Sequence, residues 1–109
     1  MSRLAVQPRV RIPRSAKAGE VIEIRTLIEH PMETGLRHEA GSVRPRDMLH
    51  RLLVRINGET LFVADLRNGS SANPYHVFFA RITRTSDFEF VWQDERGATA
   101  QATARVVLS

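Results

Sequence analysis

Alternation of apolar and polar residues with a period of two, broken at short intervals by turn chemistry, recurs along this chain and constrains its fold more than any other feature. No window sustains apolar residues at helical spacing across three turns. Arg9-Val10-Arg11-Ile12 alternates before Pro13, and Lys17-Ala18-Gly19-Glu20 supplies a turn. From Val21 to Ile28, the residues Ile22, Ile24, Thr26 and Ile28 fall on one face, with Glu23 and Arg25 opposite, as strand geometry demands. Met48 to Ile56 places His50, Leu52, Val54 and Ile56 on one face and Arg51 and Arg55 on the other. Asn57-Gly58 follows directly. That pair accepts the positive φ angles of a tight hairpin, so Thr60 to Leu66 is expected to return antiparallel.

Further strands are predicted over Tyr75 to Ile82, over Asp87 to Trp92 with Phe88, Phe90 and Trp92 inward, and over Ala98 to Val107 after the turn Asp94-Glu95-Arg96-Gly97. About seven antiparallel strands at this spacing predict an all-β, immunoglobulin-like β-sandwich. With no cysteine pair to bridge the sheets, Trp92 is expected to pack against aliphatic and aromatic residues. The segment from Glu29 to Asp47 holds Pro31, Gly35, Gly41 and Pro45 and reads as the longest irregular stretch. Connections longer than about 12 residues tend to be functional, so a binding surface is expected there.

At 109 residues, 42% hydrophobic and 26% charged, the chain has the composition of one globular domain spanning 1–109. It has no cysteine, which excludes a thiol nucleophile, a thiolate metal site and a covalent sulfur attachment point within it. No stretch approaches the ~20 apolar residues of a membrane helix, and Met1 to Pro8 has no apolar run typical of a signal peptide. Taken alone, that opening predicts a cytoplasmic protein. The formal charge of +4 arises from 16 basic residues, all arginine but Lys17, against 12 acids. Arg3, Arg9, Arg11, Arg14 and Lys17 precede the first acid, Glu20. They read either as an ordinary charged surface or as a patch for anions or nucleic acid.

Residues able to do chemistry are present without the spacing that chemistry needs. His30, His38, His50 and His76 form no metal-ligand motif, so no metal or other cofactor is expected. Ser70 and Ser71 lie near Asp65 and His76 but without the glycine-flanked elbow of a hydrolase. The carboxylate pairs Asp94 and Glu95, and Asp87 and Glu89, read as solvated turn or strand residues. The chain is therefore not expected to be an enzyme. Tyr75-His76-Val77-Phe78-Phe79 instead carries large apolar groups on both faces of one strand, as do Met48-Leu49 and Leu52-Leu53. A half-solvated strand alternates more cleanly, so either the fold covers both faces or a second chain covers one. The alternative class, a small basic β-domain binding nucleic acid, would interleave aromatics with basic residues for base stacking. Here the two occupy mostly separate segments.

Several motifs together resemble the SoxZ family. They are His30-Pro31-Met32-Glu33-Thr34-Gly35 after the Ile-rich strand, Ser71-Ala72-Asn73-Pro74-Tyr75 before the aromatic strand, and Phe88-Glu89-Phe90-Val91-Trp92-Gln93-Asp94. Arg9-Val10-Arg11-Ile12-Pro13 and Lys17 to Ile24 fit as well, so the likeness runs from about Arg9 to Val107. Gly69-Ser70 departs from the more apolar or proline-containing pattern expected there. The resemblance implies an immunoglobulin-like fold and a tight heterodimer with a SoxY-like sulfur-carrier subunit in thiosulfate oxidation. The partner's cysteine, on a flexible arm, would hold the sulfur intermediate while other Sox enzymes visit it transiently. It also implies a periplasmic location reached by export with a signal-bearing partner. The partner interface is expected at His30, Pro31, Met32, Glu33, Gly35, Arg37 and His38, and on the strand of Tyr75 and Phe78. Arg44, Arg46, Arg51 and Arg55 are expected to attract the anionic group on the partner's arm over long range.

Overall fold

The structure is a computed structural model that describes residues 8–28, 38–39, 42–43, 49–65 and 75–109; at 38, 39, 42, 43, 49, 50 and 75 it describes the backbone alone. Within these residues all regular structure is strand. Seven strands have three residues or more: β1 (Arg9–Arg11), β3 (Glu20–Leu27), β6 (Leu49–Ile56), β7 (Glu59–Asp65), β8 (Tyr75–Ile82), β9 (Ser86–Asp94) and β10 (Thr99–Leu108). Three two-residue strands had no sequence signal: β2 (Ser15–Ala16), β4 (His38–Glu39) and β5 (Ser42–Val43). The last two lie inside the segment expected to be irregular, where they pair with each other.

Two sheets make the sandwich, one ordered β1-β3-β8 and the other β2-β10-β9-β6-β7. The chain leaves the first sheet after β1 and joins the second at β2, passing Pro13, which has no N–H to give a ladder. At the new position the Val107 amide donates to the Arg14 carbonyl, and the Ser109 amide donates to that of Ala16, both at 2.9 Å. A strand that changes sheets in this way closes the corner of a sandwich. The expected Asn57-Gly58 hairpin joins β6 to β7, with φ of 51° at Asn57 and 83° at Gly58. Asn57 also reaches the next strand, since its Oδ1 accepts from the Asp87 amide at 2.9 Å.

The core follows the alternation. Ile22, Ile24 and Thr26 of β3 and Ala80 and Ile82 of β8 face Leu52 and Val54 of β6, Phe88, Phe90 and Trp92 of β9, and Ala100 and Val106 of β10. Phe88, Phe90 and Trp92 stand two residues apart on one face of β9, with successive ring centroids 6.2 Å apart. Register explains why the neighbouring strand is rich in alanine, a poor strand former. Ala100 lies opposite Trp92, Ala102 opposite Phe90 and Ala104 opposite Phe88, so small residues leave room for the three rings. Phe78 bridges the sheets from β8, 6.3 Å from Phe90 and 4.8 Å edge-to-face from Phe62 of β7.

One sequence expectation is overturned here. Asp94 is not a solvated turn residue but is 4% exposed. Its Oδ1 accepts from the Arg96 amide at 2.9 Å and the Ala98 amide at 2.8 Å, organising the β9–β10 turn. A carboxylate can be buried when backbone donors replace its water.

Candidate interaction surface

Of the residues expected to meet a partner, His30, Pro31, Met32, Glu33, Gly35 and Arg37 lie outside the described residues. His38 begins β4, opposite Val43 of β5. Tyr75 begins β8, opposite Leu27 of β3. No pairing joins β4 or β5 to the two large sheets among the described residues. Phe78 is half-buried and turned inward, where its contacts are the rings of Phe62 and Phe90. Among the described side chains of β8 the outward aromatic is its neighbour, Phe79.

Register decides this orientation. Ile24 and Ile22 face the core, and they pair with Phe78 and Ala80 respectively, so those β8 residues face it too. Val77 and Phe79 are then left on the outer face, 43% and 63% exposed. Val21, 49% exposed, lies opposite Arg81 and diagonally beside Phe79. The sequence puts apolar groups on both faces of this strand; only the pairing with β3 shows which of them point out.

Charge on the same outer face is lopsided. Arg9 and Arg11 of β1 are exposed there, and Arg11 lies directly opposite Arg25 of β3. Like charges in such a cross-strand position are unfavourable. Glu23, two residues before Arg25, forms an ion pair with it. A shallow groove of about 420 Å³ is lined by Arg9, Val10, Arg11, Arg25, Thr26 and Leu27. Around the β1 flank, Arg11 and Arg14 line a second with Val10, Ile12, Ala104, Arg105 and Val107. Among the described residues no aromatic ring lines either groove.

On the other sheet the outward residues Val63, Leu53 and Val91 form an apolar row across β7, β6 and β9. Of the arginines expected to attract an anion, Arg44 and Arg46 lie outside the described residues. Arg51 is exposed on β6, whereas Arg55 is held by Glu89 at 2.9 Å. The carboxylate cancels most of the field that guanidinium would project. His76 faces the interior of β8, and burial holds its imidazole below the ordinary value. Among the described residues no three histidine, aspartate or glutamate side chains gather where they could hold a metal. No helix among them is long and apolar enough to cross a membrane.

A two-sheet, all-β sandwich with outward apolar and basic surface is therefore the class of protein that the geometry defines. Solved structures share the architecture. A superoxide reductase (neelaredoxin) variant from Ignicoccus hospitalis is similar with a TM-score of 0.74 at 12% identity, covering 95% of this chain and 81% of that one. The sulfur carrier protein SoxY from Chlorobium limicola f. thiosulfatophilum is similar with a TM-score of 0.63 at 12% identity, covering 93% and 74%. At such identities the likeness is one of fold. No curated protein sequence matches the chain. The family described as sulphur oxidation protein SoxZ matches residues 10–105, nearly the whole sandwich, and the chain belongs to that family.

Proposed function

We propose that this chain is the non-catalytic subunit of a SoxYZ-type sulfur-carrier heterodimer in thiosulfate oxidation. The SoxZ match over residues 10–105 carries the reading, because it spans both sheets and is not confined to one motif. The absence of cysteine agrees with it, since a covalently carried sulfur then needs the partner's thiol. In this role the sandwich stabilises the SoxY-like subunit and forms part of the surface offered to Sox enzymes during transient visits. The complex works in the periplasm, where the chain arrives together with a signal-bearing partner.

Co-expression with a SoxY-like subunit tests the reading. Native mass spectrometry is expected to give a 1:1 complex in which a reductant-sensitive sulfur adduct maps to the other chain. A chain that stays monomeric beside that subunit, or that itself carries the adduct, would contradict it.

A further inference from the structure

The β1-β3-β8 sheet gathers guanidinium groups on its outer face, at the β1 margin. Arg9 and Arg11 are the outward residues of β1, two apart and therefore about 7 Å from each other along the strand. Arg11 stands directly opposite Arg25 of β3, which brings their Cβ atoms to about 4.5–5.5 Å. Arg25 has a counter-charge, because Glu23 forms an ion pair with it. Among the described residues no carboxylate pairs with Arg9 or Arg11. Three guanidinium groups against one carboxylate leave this patch with two positive charges in excess.

Other outward arginines are treated differently. Arg55 is held by Glu89 at 2.9 Å, Arg105 lies 3.8 Å from Asp87, and Arg81 donates from Nη1 to the Gly19 carbonyl at 2.7 Å. Arg11 has no such partner among the described residues and faces a like charge instead, an arrangement that costs stability unless an anion lies between the two. It also lines both grooves of this margin, the one of about 420 Å³ with Arg9 and Arg25 and the other with Arg14.

We infer that Arg9, Arg11 and Arg25 form a binding site for a divalent tetrahedral oxyanion of the sulfate class, with Arg11 at its centre. Each guanidinium presents a fork of N–H donors that matches paired oxygens. Oxygens at different corners of one tetrahedron accept from Arg11 and Arg25 at once, whereas a halide offers a single point of charge. A dianion also matches the two excess positive charges, where a lone carboxylate matches one. Bound there, it turns an unfavourable cross-strand pair into a bridged one and stabilises the fold. Thiosulfate, the compound oxidised in the pathway proposed above, has this shape and charge. That identification rests on the proposed function, whereas the site rests on charge and register alone.

The test titrates the 109-residue chain with sulfate and with thiosulfate, at an ionic strength held constant with chloride, and follows the backbone amides by NMR. Saturable shifts are expected at residues 9–11 and 25–27, with a dissociation constant on the order of 1 mM for so exposed a site. Arg11→Gln is expected to weaken binding by about tenfold, while Arg51→Gln, on the other sheet opposite Asp65, leaves it unchanged. Without the dianion and at low salt, Arg11→Gln is expected to unfold no earlier than wild type, since it relieves the repulsion with Arg25. It should lose the part of the stabilisation by sulfate that exceeds the ion's general exclusion from protein surfaces, and Arg51→Gln should keep that part. Shifts that do not saturate, that are as strong with acetate, or that survive Arg11→Gln overturn the site. So does unfolding of Arg11→Gln well below wild type at low salt, which would show Arg11 already satisfied within the fold. Binding of sulfate without thiosulfate overturns the thiosulfate identification alone. Whether the chain pairs with a SoxY-like subunit is decided separately, by the co-expression described above.

Discussion

Replacing Asp94 with alanine tests whether one buried carboxylate holds the β9–β10 connection. Its Oδ1 receives two backbone amides, Arg96 at 2.9 Å and Ala98 at 2.8 Å, in a side chain that is almost wholly buried. Hydrogen bonds to a charged acceptor contribute about 1.5–3 kcal/mol each. The gross loss is offset in two ways. Water can reach the Arg96 amide at the exposed turn, and removing the carboxylate also removes its own desolvation cost. A net loss of about 3 kcal/mol follows, equivalent to a fall in Tm of roughly 12 °C for a domain of this size. Asp94→Asn keeps an oxygen acceptor but not its charge, and neutral hydrogen bonds are about half as strong, so about 1–1.5 kcal/mol is expected. Trp92, the only tryptophan and 1% exposed, lies on the same strand and reports urea unfolding directly. The midpoint should shift while the slope stays constant. If Asp94→Ala unfolds within about 0.5 kcal/mol of wild type, or Asp94→Asn is as damaging as alanine, the carboxylate does not organise the turn as described.

Three other outcomes are expected. Asn57→Gly preserves the positive φ but loses the bond to Asp87 and should cost about 1 kcal/mol, while Asn57→Ala adds roughly another 1 kcal/mol of backbone strain; denaturant midpoints separate the two. Ala100→Leu pushes a branched side chain towards Trp92, directly opposite, and should cost about 1–3 kcal/mol with altered tryptophan fluorescence. Burial lowers the His76 pKa, so between its ordinary value of 6.5 and that lower one the unfolded chain binds more protons than the folded chain. Stability should be unaffected by this group above pH 6.5 and fall as the solution is acidified below it. Urea titrations at several pH values should show a shallower acid loss in His76→Gln, and an unchanged slope would refute the assignment.

Much of the architecture was legible because strand pattern is a local property. The buried face of Ile22, Ile24 and Thr26 on β3, continued by Ile28 just beyond it, and the three inward rings of β9 follow from alternation, and Asn57-Gly58 marks its hairpin by dihedral preference alone. The two-residue strands β2, β4 and β5 were not legible, since a pair of residues has no period to detect. Asp94 was misread for a related reason. An acid beside a glycine-containing turn has the same local signature whether water or backbone amides satisfy its oxygens.

Sequence by itself determined that the chain is all-β, that these 109 residues offer no thiol, and that the β8 segment carries more apolar surface than one face can hide. Its motifs also pointed to the SoxZ family, to which the matched residues 10–105 assign it. Tertiary structure alone decided which half of that surface faces out. Cross-strand register with β3 turns Phe78 towards Phe62 and Phe90 and leaves Phe79 exposed, and a slip of one residue would exchange them. Sheet order likewise decided that β8 is an edge and β9 is not. Both strands are apolar and of similar length, and what separates them is how many neighbours the fold places alongside among the described residues: one for β8, two for β9.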